Sequence, residues 1–161
     1  MLTPPWVFTD EDRRLMGVAL DRAVAAAGWG DVPVGAVVAD AEFRVLAAAA
    51  NQRERTGDPT AHAEILALRE AGLQRGSWRL DGCTLYVTVE PCAMCAAACV
   101  LARLACVVWG APDPKAGFAG SLGNLLEDGR LNHRVAWRGG LLAAEAGALV
   151  AEFFAKLRGQ R

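Results

Sequence analysis

The chain has 161 residues, of which 53% are hydrophobic and 22% are charged, and its formal net charge is −1 at pH 7. This size and balance predict one globular domain spanning residues 1–161 and exclude a disordered chain. A nearly neutral chain has no general attraction for nucleic acid, so any nucleic-acid partner requires a local basic surface.

Helical and strand patterns alternate along the chain. Thr9 is a suitable N-cap for a first helix, because three acidic residues follow it and complement the positive end of the helix dipole. Strands that alternate with helices predict a layered α/β fold with a largely parallel sheet after an opening hairpin. The predicted elements are, in chain order, a helix from Thr9 to Gly28, strands at 32–40 and 43–50, a loop at 51–60, a helix from His62 to about Gly72, a strand at 83–90, a helix at 93–104, a strand at 105–111, a glycine-rich loop at 112–121, a short strand at 134–138 and a helix from Leu141 to about Arg158.

The chain has five cysteines, and two of them form a C-x-x-C motif. This usage is typical of a reducing compartment with a metal or redox site, rather than of a disulfide framework. The N-terminus lacks a basic segment followed by an apolar one, and no run of about 18 residues is apolar enough to cross a membrane. We therefore expect a cytoplasmic protein without a membrane partner. The cysteines outside the motif fit strand or helix patterns and are predicted to be core residues: Cys83, Cys99 and Cys106.

Two short motifs stand at the starts of predicted helices. His62 and Glu64 begin one helix, and taken alone they fit a solvated first turn, because acids favour helix N-termini. Cys92 and Cys95 follow Pro91 at the start of another helix, where the positive dipole end favours thiolates. Taken alone, this second motif is equally compatible with a redox pair, half of a zinc site or two core cysteines.

The two motifs together indicate a metal site. One imidazole and two thiolates are a ligand set that suits zinc, and three protein ligands are typical of a catalytic zinc that keeps a position for water. Glu64 cannot share the helix face of His62, so we predict that it acts on the coordinated water instead. The alternative is a closed structural site with His133, which lies far along the chain, as the fourth ligand.

The spacing of HAE (62–64) and PCAMC (91–95) resembles the signature of the zinc-dependent cytidine and nucleobase deaminase superfamily. Within that superfamily, the chain resembles the bacterial tRNA adenosine deaminase (TadA) family over nearly its whole length. The loops DPKAGFAGS and RLNH favour this family over deaminases of free bases. The similar segments are DVPVGAVV (31–38), DPTAHAEILALRE (58–70), TLYVTVEPCAMC (84–95), DPKAGFAGSLGNLLED (113–128), RLNHRV (130–135) and EFF (152–154).

The resemblance implies a three-layer cytidine deaminase-like α/β fold, with a five-stranded mixed sheet flanked by helices. It also implies that His62, Cys92 and Cys95 bind one Zn²⁺ per subunit and that Glu64 transfers protons. The implied substrate-binding residues are Asn51 and the backbone at Ala63 for the flipped base, Asp113 and Lys115 for the entry of the RNA strand, and Phe154 for a flanking nucleotide. Without the resemblance, two interpretations of Phe153 and Phe154 are equally compatible with the sequence: packing against a nucleotide, or closing the core.

The implied reaction is hydrolytic deamination of adenosine to inosine at the wobble position of tRNA, in arginine tRNA with an ACG anticodon. The implied partners are the anticodon loop and a second copy of the chain in a homodimer. Two alternatives remain: a deaminase of free guanine or cytosine, and a non-catalytic zinc-stabilised binding module. Glu64 argues against the module, because a structural zinc site has no use for an adjacent acid. Phosphate contacts are expected from few basic residues, namely Lys115, Arg134, Lys156 and Arg158.

Overall fold

The computed structural model describes residues 6–161. Its strands are β1 (Gly35–Ala39), β2 (Val45–Ala50), β3 (Thr84–Val89), β4 (Cys106–Ala111) and β5 (Ala136–Gly139), and its helices are α1 (Asp10–Gly28), α2 (Arg53–Thr56), α3 (Ala63–Arg75), α4 (Ala93–Leu101) and α5 (Ala143–Gly159). Within the described residues, the strands form a five-stranded sheet in the order β2-β1-β3-β4-β5. β1 is antiparallel to β2 and β3, whereas β3, β4 and β5 are parallel. The predicted mixed α/β sheet is therefore confirmed.

Helices cover both faces of this sheet and give three layers. Side chains from α3 and α4 share one apolar cluster with the sheet, and α1 packs on the opposite face, where α5 also contacts it. Side chains of β3 alternate between the two faces: Leu85 and Val87 join the first cluster, and Tyr86 joins the second. Because β3 is the central strand, the segment that follows it lies at the carboxyl end of the sheet, midway along the strand order.

The predicted loop at 51–60 is wrong in part, because residues Arg53–Thr56 form the short helix α2. The carboxylate of Asp31, which is fully buried, accepts hydrogen bonds from the backbone N–H groups of Glu54 and Arg55 at 2.6 and 3.0 Å. A side chain distant in sequence thus supplies the acceptor that a helix N-terminus requires. The polar composition of the segment could not indicate this contact.

Two predicted helix ends are also shifted. α3 continues past Gly72 to Arg75 and ends at Gly76, which has φ 68° and donates its N–H to the carbonyls of Gly72 and Leu73. α4 ends at Leu101 rather than at residue 104. A glycine terminates a helix where it adopts the left-handed conformation, so the sequence pattern placed the end of α3 at the wrong glycine.

The N-cap and cysteine predictions are confirmed. The Thr9 side chain accepts from the N–H of Asp12, and the Asp12 side chain accepts from the N–H of Thr9. Cys83 and Cys99 are fully buried in the core, and Cys106 is partly buried against it. None of the helices described in residues 6–161 is long and apolar enough to span a membrane.

Candidate metal centre and active-site cavity

The three predicted zinc ligands converge at the ends of two helices. His62 is the N-cap of α3, and Cys92 is the N-cap of α4, three residues after the end of β3. Both N-cap residues have extended backbone conformations, so their side chains project from the helix starts, and Cys95 lies in the first turn of α4. The donor atoms of the three residues all lie within 4.8 Å of one another.

These separations fit a tetrahedral zinc site. His62 Nδ1 lies 3.6 Å from Cys92 Sγ and 3.5 Å from Cys95 Sγ. Zn–S bonds of about 2.3 Å and Zn–N bonds of about 2.0 Å place the sulfur and nitrogen corners of a tetrahedron roughly 3.5 Å apart. The side chains therefore already have the spacing of three tetrahedral ligands, and their soft sulfur and borderline nitrogen donors match the preference of zinc.

The electrostatics of the two thiols also indicate a cation site. A hydrogen bond from Cys95, aided by His62, lowers the pKa of Cys92 to about 4. The same hydrogen bond, together with burial, raises the pKa of Cys95. Two thiols this close share one proton unless a cation neutralises the second thiolate. The pair is therefore suited to holding a dication with both sulfurs ionised.

Glu64 lies beside the three ligands in the first turn of α3 and is only 4% exposed. Burial raises the pKa of its carboxyl group, and the nearby Cys92 thiolate adds to the rise. Within residues 6–161, no Lys or Arg forms an ion pair with it. A raised pKa brings a carboxyl group closer to the pH range in which it can both accept and release a proton.

A cavity of about 200 Å³ opens over this group and is lined by His62, Glu64 and Cys92. Asn51 and Ala63, the residues predicted to bind the base, also line it. The Asn51 amide donates to the carbonyl of Val32 at 3.2 Å and accepts from the N–H of Arg53 at 3.2 Å. An amide side chain offers two donors and two acceptor lone pairs, so one donor and one acceptor remain for a ligand. Ala63 opens α3, and its N–H therefore has no acceptor within the helix.

The predicted RNA-entry residues lie in and next to this cavity. Asp113 belongs to the lining of the cavity and also to a neighbouring, larger apolar cavity of about 570 Å³. Lys115 and Phe154 line only the second one. Phe154 packs edge-on against Phe153, is 40% exposed and belongs to neither apolar core cluster of the described chain, so it does not close the core. Phe153 is partly buried. The two cavities share Val32, Val34, Val89, Asp113 and Ala116.

His133 is not part of the metal cluster. Its Nε2 atom lies 2.8 Å from the carbonyl oxygen of Leu104, which precedes β4 and therefore lies at the opposite end of the sheet from Cys92. Among residues 6–161, the only group with metal-ligand spacing is His62, Cys92 and Cys95. The geometry favours the three-ligand site over a closed site that uses His133.

The cavity contains two charged residues that the sequence analysis did not assign. Arg53 is exposed at its edge, and the buried Glu90 belongs to its wall. Arg53 lies in α2, the helix that the sequence pattern did not predict, and Glu90 directly precedes the PCAMC motif without being part of it. The only sequence signal for Glu90 was an acid at the end of a strongly apolar strand.

Comparison with known proteins agrees with this site. The family described as the cytidine and deoxycytidylate deaminase zinc-binding region matches residues 9–111, which include the three metal-ligand candidates and Glu64. The fold and the His-Cys-Cys cluster thus define a zinc-binding deaminase of this class.

More specific relatives narrow the assignment. The tRNA-specific adenosine deaminase of Bacillus subtilis (strain 168) is 45% identical over 148 residues, which are 92% of this chain and 91% of that protein. A structure from studies of A-to-I editing by tRNA:A34 deaminases has a TM-score of 0.81 and 38% identity, covering 84% of this chain and 98% of that one. The guanine deaminase of Nitrosomonas europaea has a TM-score of 0.76 and 26% identity, covering 95% and 88%. The chain belongs to the family of tRNA-specific adenosine deaminases.

Proposed function

We propose that this enzyme deaminates adenosine to inosine at the wobble position of tRNA, and that residues 1–161 act as one deaminase domain. The observation that carries the proposal is the placement of Glu64 beside His62, Cys92 and Cys95 in one cavity. The assignment of adenosine and tRNA is supported by relatives that are tRNA-specific adenosine deaminases at 45% and 47% identity.

The chemistry is hydrolytic. The C6–NH₂ bond of adenine breaks, a C6–O bond forms with the oxygen of water, and ammonia leaves. One zinc ion per subunit, held by His62, Cys92 and Cys95, would supply hydroxide at neutral pH by lowering the pKa of a coordinated water. Glu64 would accept a proton from that water and deliver it to N1 of adenine. It would then accept the proton of the hydroxyl group at C6 and deliver it to the departing amine. Its raised pKa suits this repeated exchange.

The cavity holds the base through groups that are already fixed in place. Asn51 has one donor and one acceptor left over for the base edge, because its other two positions are bound to Val32 and Arg53. The N–H of Ala63 provides a further donor at the start of α3. Because these polar groups are already ordered, binding a base costs little conformational entropy.

The second cavity suits a nucleotide next to the target. Its lining is mainly apolar, and Phe154 is 40% exposed, which leaves the edge of its ring available to a base. Lys115 is exposed in the same lining and would contact the phosphate between the two nucleotides. A base reaches a buried site more readily from a single-stranded loop than from a duplex, so an anticodon loop is a suitable substrate.

A homodimer is supported by an exposed apolar surface formed by α3, α4 and the turn after α3. Leu73, Trp78 and Leu101 are all largely exposed there, and they border a groove of about 720 Å³. Clustered exposed apolar side chains are typical of protein interfaces. A tRNA substrate and five free cysteines fit a cytoplasmic enzyme.

The second candidate is deamination of free guanine, favoured by the structural similarity to the Nitrosomonas europaea guanine deaminase. That similarity comes with 26% identity, compared with 45% for the Bacillus subtilis tRNA-specific enzyme. The two candidates use the same zinc ligands and proton carrier. They differ in whether the apolar cavity with Lys115 and Phe154 binds part of the substrate.

The test is inosine formation by the purified, zinc-loaded enzyme on arginine tRNA with an ACG anticodon. Free guanine and cytosine are assayed in parallel for ammonia release. Glu64→Ala should abolish the reaction, and Glu70→Ala, which removes an exposed acid from the same helix, should not. Inosine at the first anticodon position in the wild type and the Glu70 variant is the expected result. Ammonia from a free base with unmodified tRNA would instead establish the second candidate.

A further inference from the structure

Glu90 is a buried acid between β3 and the zinc-ligand motif, and the proposed chemistry does not use it. It is 3% exposed and directly precedes Pro91 and Cys92. No ion pair within residues 6–161 involves it. Burying a carboxylate without a cation is energetically costly unless hydrogen bonds satisfy its oxygen atoms.

Within the described part of the chain, all of the side-chain hydrogen bonds of Glu90 come from one loop, residues 113–121. Oε1 accepts from the N–H of Asp113 at 3.1 Å and from the hydroxyl of Ser121 at 2.5 Å. Oε2 accepts from the N–H groups of Ala119 and Ser121 at 3.2 and 3.0 Å. Both ends of the loop are therefore bound to a single carboxylate, through hydrogen bonds that the negative charge strengthens.

The middle of the loop is shaped around the same carboxylate. A Cβ atom at Gly117 would overlap Glu90 Oε2, so only glycine fits that position beside the carboxylate. The N–H of Phe118 donates to the carbonyl of Pro91 at 2.8 Å, and Gly117 forms an isolated β-bridge with Cys92. The loop is thus fastened to the backbone of a zinc-ligand residue and to the residues directly before it.

This loop forms one wall of the substrate cavities. Asp113 and Ala116 line the cavity over the metal cluster, and Lys115 lines the neighbouring apolar cavity with Phe154. Residues 113–121 contain no helix or strand that could hold the wall by itself. The position of the wall relative to Cys92 therefore depends on Glu90 and the few backbone contacts around it.

We propose that Glu90 is a positioning residue that fixes the substrate-binding loop 113–121 against the zinc site. It holds the N–H groups of Asp113, Ala119 and Ser121 and thereby sets the distance between the RNA-binding wall and the reacting base. The inference rests on the proposed function for its consequence in catalysis. Its structural part, the ordering of the loop by one carboxylate, stands independently of which substrate is used.

The first test is amide hydrogen exchange of zinc-loaded Glu90→Gln. The substitution keeps the side-chain shape, but its NH₂ group faces donors and cannot accept from them. Exchange at Asp113, Ala119 and Ser121 should accelerate roughly 10- to 100-fold, the factor expected for losing hydrogen bonds to a charged group. Zinc content and the exchange of α4 amides should stay unchanged. Glu127→Gln is the matched control, because it makes the same change at an exposed acid that accepts only from Trp137 in residues 6–161.

Unchanged exchange in Glu90→Gln would overturn the proposal. A proportional loss of zinc and of protection across the whole chain would overturn it too, because Glu90 would then support the fold in general. A double-mutant cycle adds a second criterion: Ser121→Ala should add little to Glu90→Gln, since both remove the same contact.

The second test is the steady-state kinetics of the same variants on an anticodon stem-loop. Glu90→Gln should raise KM about tenfold or more relative to Glu127→Gln, with a smaller change in kcat, because the loop binds RNA and does not carry the proton chemistry. Equal kinetics of the two variants would overturn the catalytic part. If the wild type does not act on the stem-loop at all, the proposed function fails, and the exchange experiment still decides the role of Glu90.

Discussion

Glu64 and Asp12 are buried carboxylates on opposite faces of the sheet, and their surroundings differ sharply. Asp12 is 2% exposed on α1 and accepts hydrogen bonds from Arg138, Tyr86 and the N–H of Thr9. Burial would raise its pKa, but the hydrogen bonds from Arg138, Thr9 and Tyr86 outweigh it, and the pKa lies well below its usual value. Glu64 has no such cation in residues 6–161, and its pKa is raised. Asp12 is therefore held in its ionised form, whereas the carboxyl group of Glu64 keeps its proton to a higher pH than an exposed glutamate does.

The contrast shows that one fold can place an acid important for stability and an acid important for chemistry on opposite faces of the same sheet. The fully bonded Asp12 connects α1 with β3 and β5 through Tyr86 and Arg138. Glu64, which forms no ion pair within residues 6–161, lies in the first turn of α3 and lines a cavity. Groups with perturbed pKa values that line a cleft are concentrated at functional sites, because catalysis needs acids and bases whose pKa values match the proton transfer. Substitution of Glu64 should therefore lower activity with little effect on stability, and substitution of Asp12 should lower stability with little effect on activity.

The largest expected effect is on activity, in Glu64→Gln. The rate of inosine formation should fall roughly 10²- to 10⁴-fold, the usual contribution of a general acid–base group. The stability to urea should be unchanged or slightly higher, because an acid with a raised pKa disfavours the folded state at neutral pH. Near wild-type activity in this variant would remove Glu64 from the chemistry and end the contrast with Asp12.

The next effect is on stability, in Asp12→Asn. The free energy of unfolding at pH 7 should fall by roughly 3 kcal/mol, at the lower end for breaking a buried ion pair, because the Arg138 side chain remains 27% exposed. Urea unfolding measures this, and activity below the unfolding transition should stay close to wild type. Asp10→Asn, in the same helical turn but fully exposed, should change stability by less than about 0.5 kcal/mol. A similar loss in both variants would mean that the helix dipole, rather than the ion pair, makes Asp12 important.

The difference in stability between wild type and Asp12→Asn should depend on pH. The pKa of Asp12 in the folded protein lies below its ordinary value of 3.8, so its contribution to stability is fully present above pH 3.8 and is lost as the pH falls through the folded pKa. The stability gap between wild type and Asp12→Asn should therefore be constant from about pH 5 to 7 and narrow below 3.8. Urea titrations at a series of pH values test this, and a gap that widened on acidification would contradict the lowered pKa.

The smallest predicted effect concerns Arg53 at the edge of the cavity. Arg53→Ala should weaken binding of an anticodon stem-loop a few-fold and reduce the slope of log affinity against log salt by roughly 0.7, the value for one phosphate contact on a single strand. Arg22→Ala removes the same charge from the exposed surface of α1, on the other face of the sheet, and should leave the slope unchanged. Equal slopes for the two variants would exclude Arg53 from the surface that contacts RNA phosphates.

Much of the fold was predictable because local patterns and core packing agree. Thr9 caps α1 as its sequence context indicates, and strongly apolar segments form β3 and β4. The errors occurred where a distant contact, or the backbone conformation of a single glycine, decides the local structure. Asp31 supplies the acceptor that makes α2 helical, and the left-handed conformation of Gly76, rather than the presence of Gly72, ends α3.

The cluster of candidate metal ligands was predictable from the sequence because its residues belong to short motifs with fixed spacing. His62 and Glu64 are close in sequence, as are Cys92 and Cys95, and each pair is brought near the other by a helix start. The substrate-binding roles of Asn51, Ala63, Asp113, Lys115 and Phe154 rested on resemblance alone, and they stay predictions. The structure places Asn51, Ala63 and Asp113 at the metal cavity and the other two at its neighbour.

The sequence alone indicated which residues could carry the chemistry: two thiols and an imidazole at a spacing that suits zinc, with an acid beside them, in an alternating α/β chain. Spacing and residue type suffice for this, because zinc coordination and helix N-termini impose their own geometry. Tertiary structure decided which buried carboxylates have hydrogen-bonding partners from distant segments. The partners of Asp12, Asp31 and Glu90 come from segments far away along the chain, and only the folded sheet brings them within hydrogen-bonding distance. The charge state of a buried carboxylate depends on those partners, so it cannot be read from its neighbours in sequence.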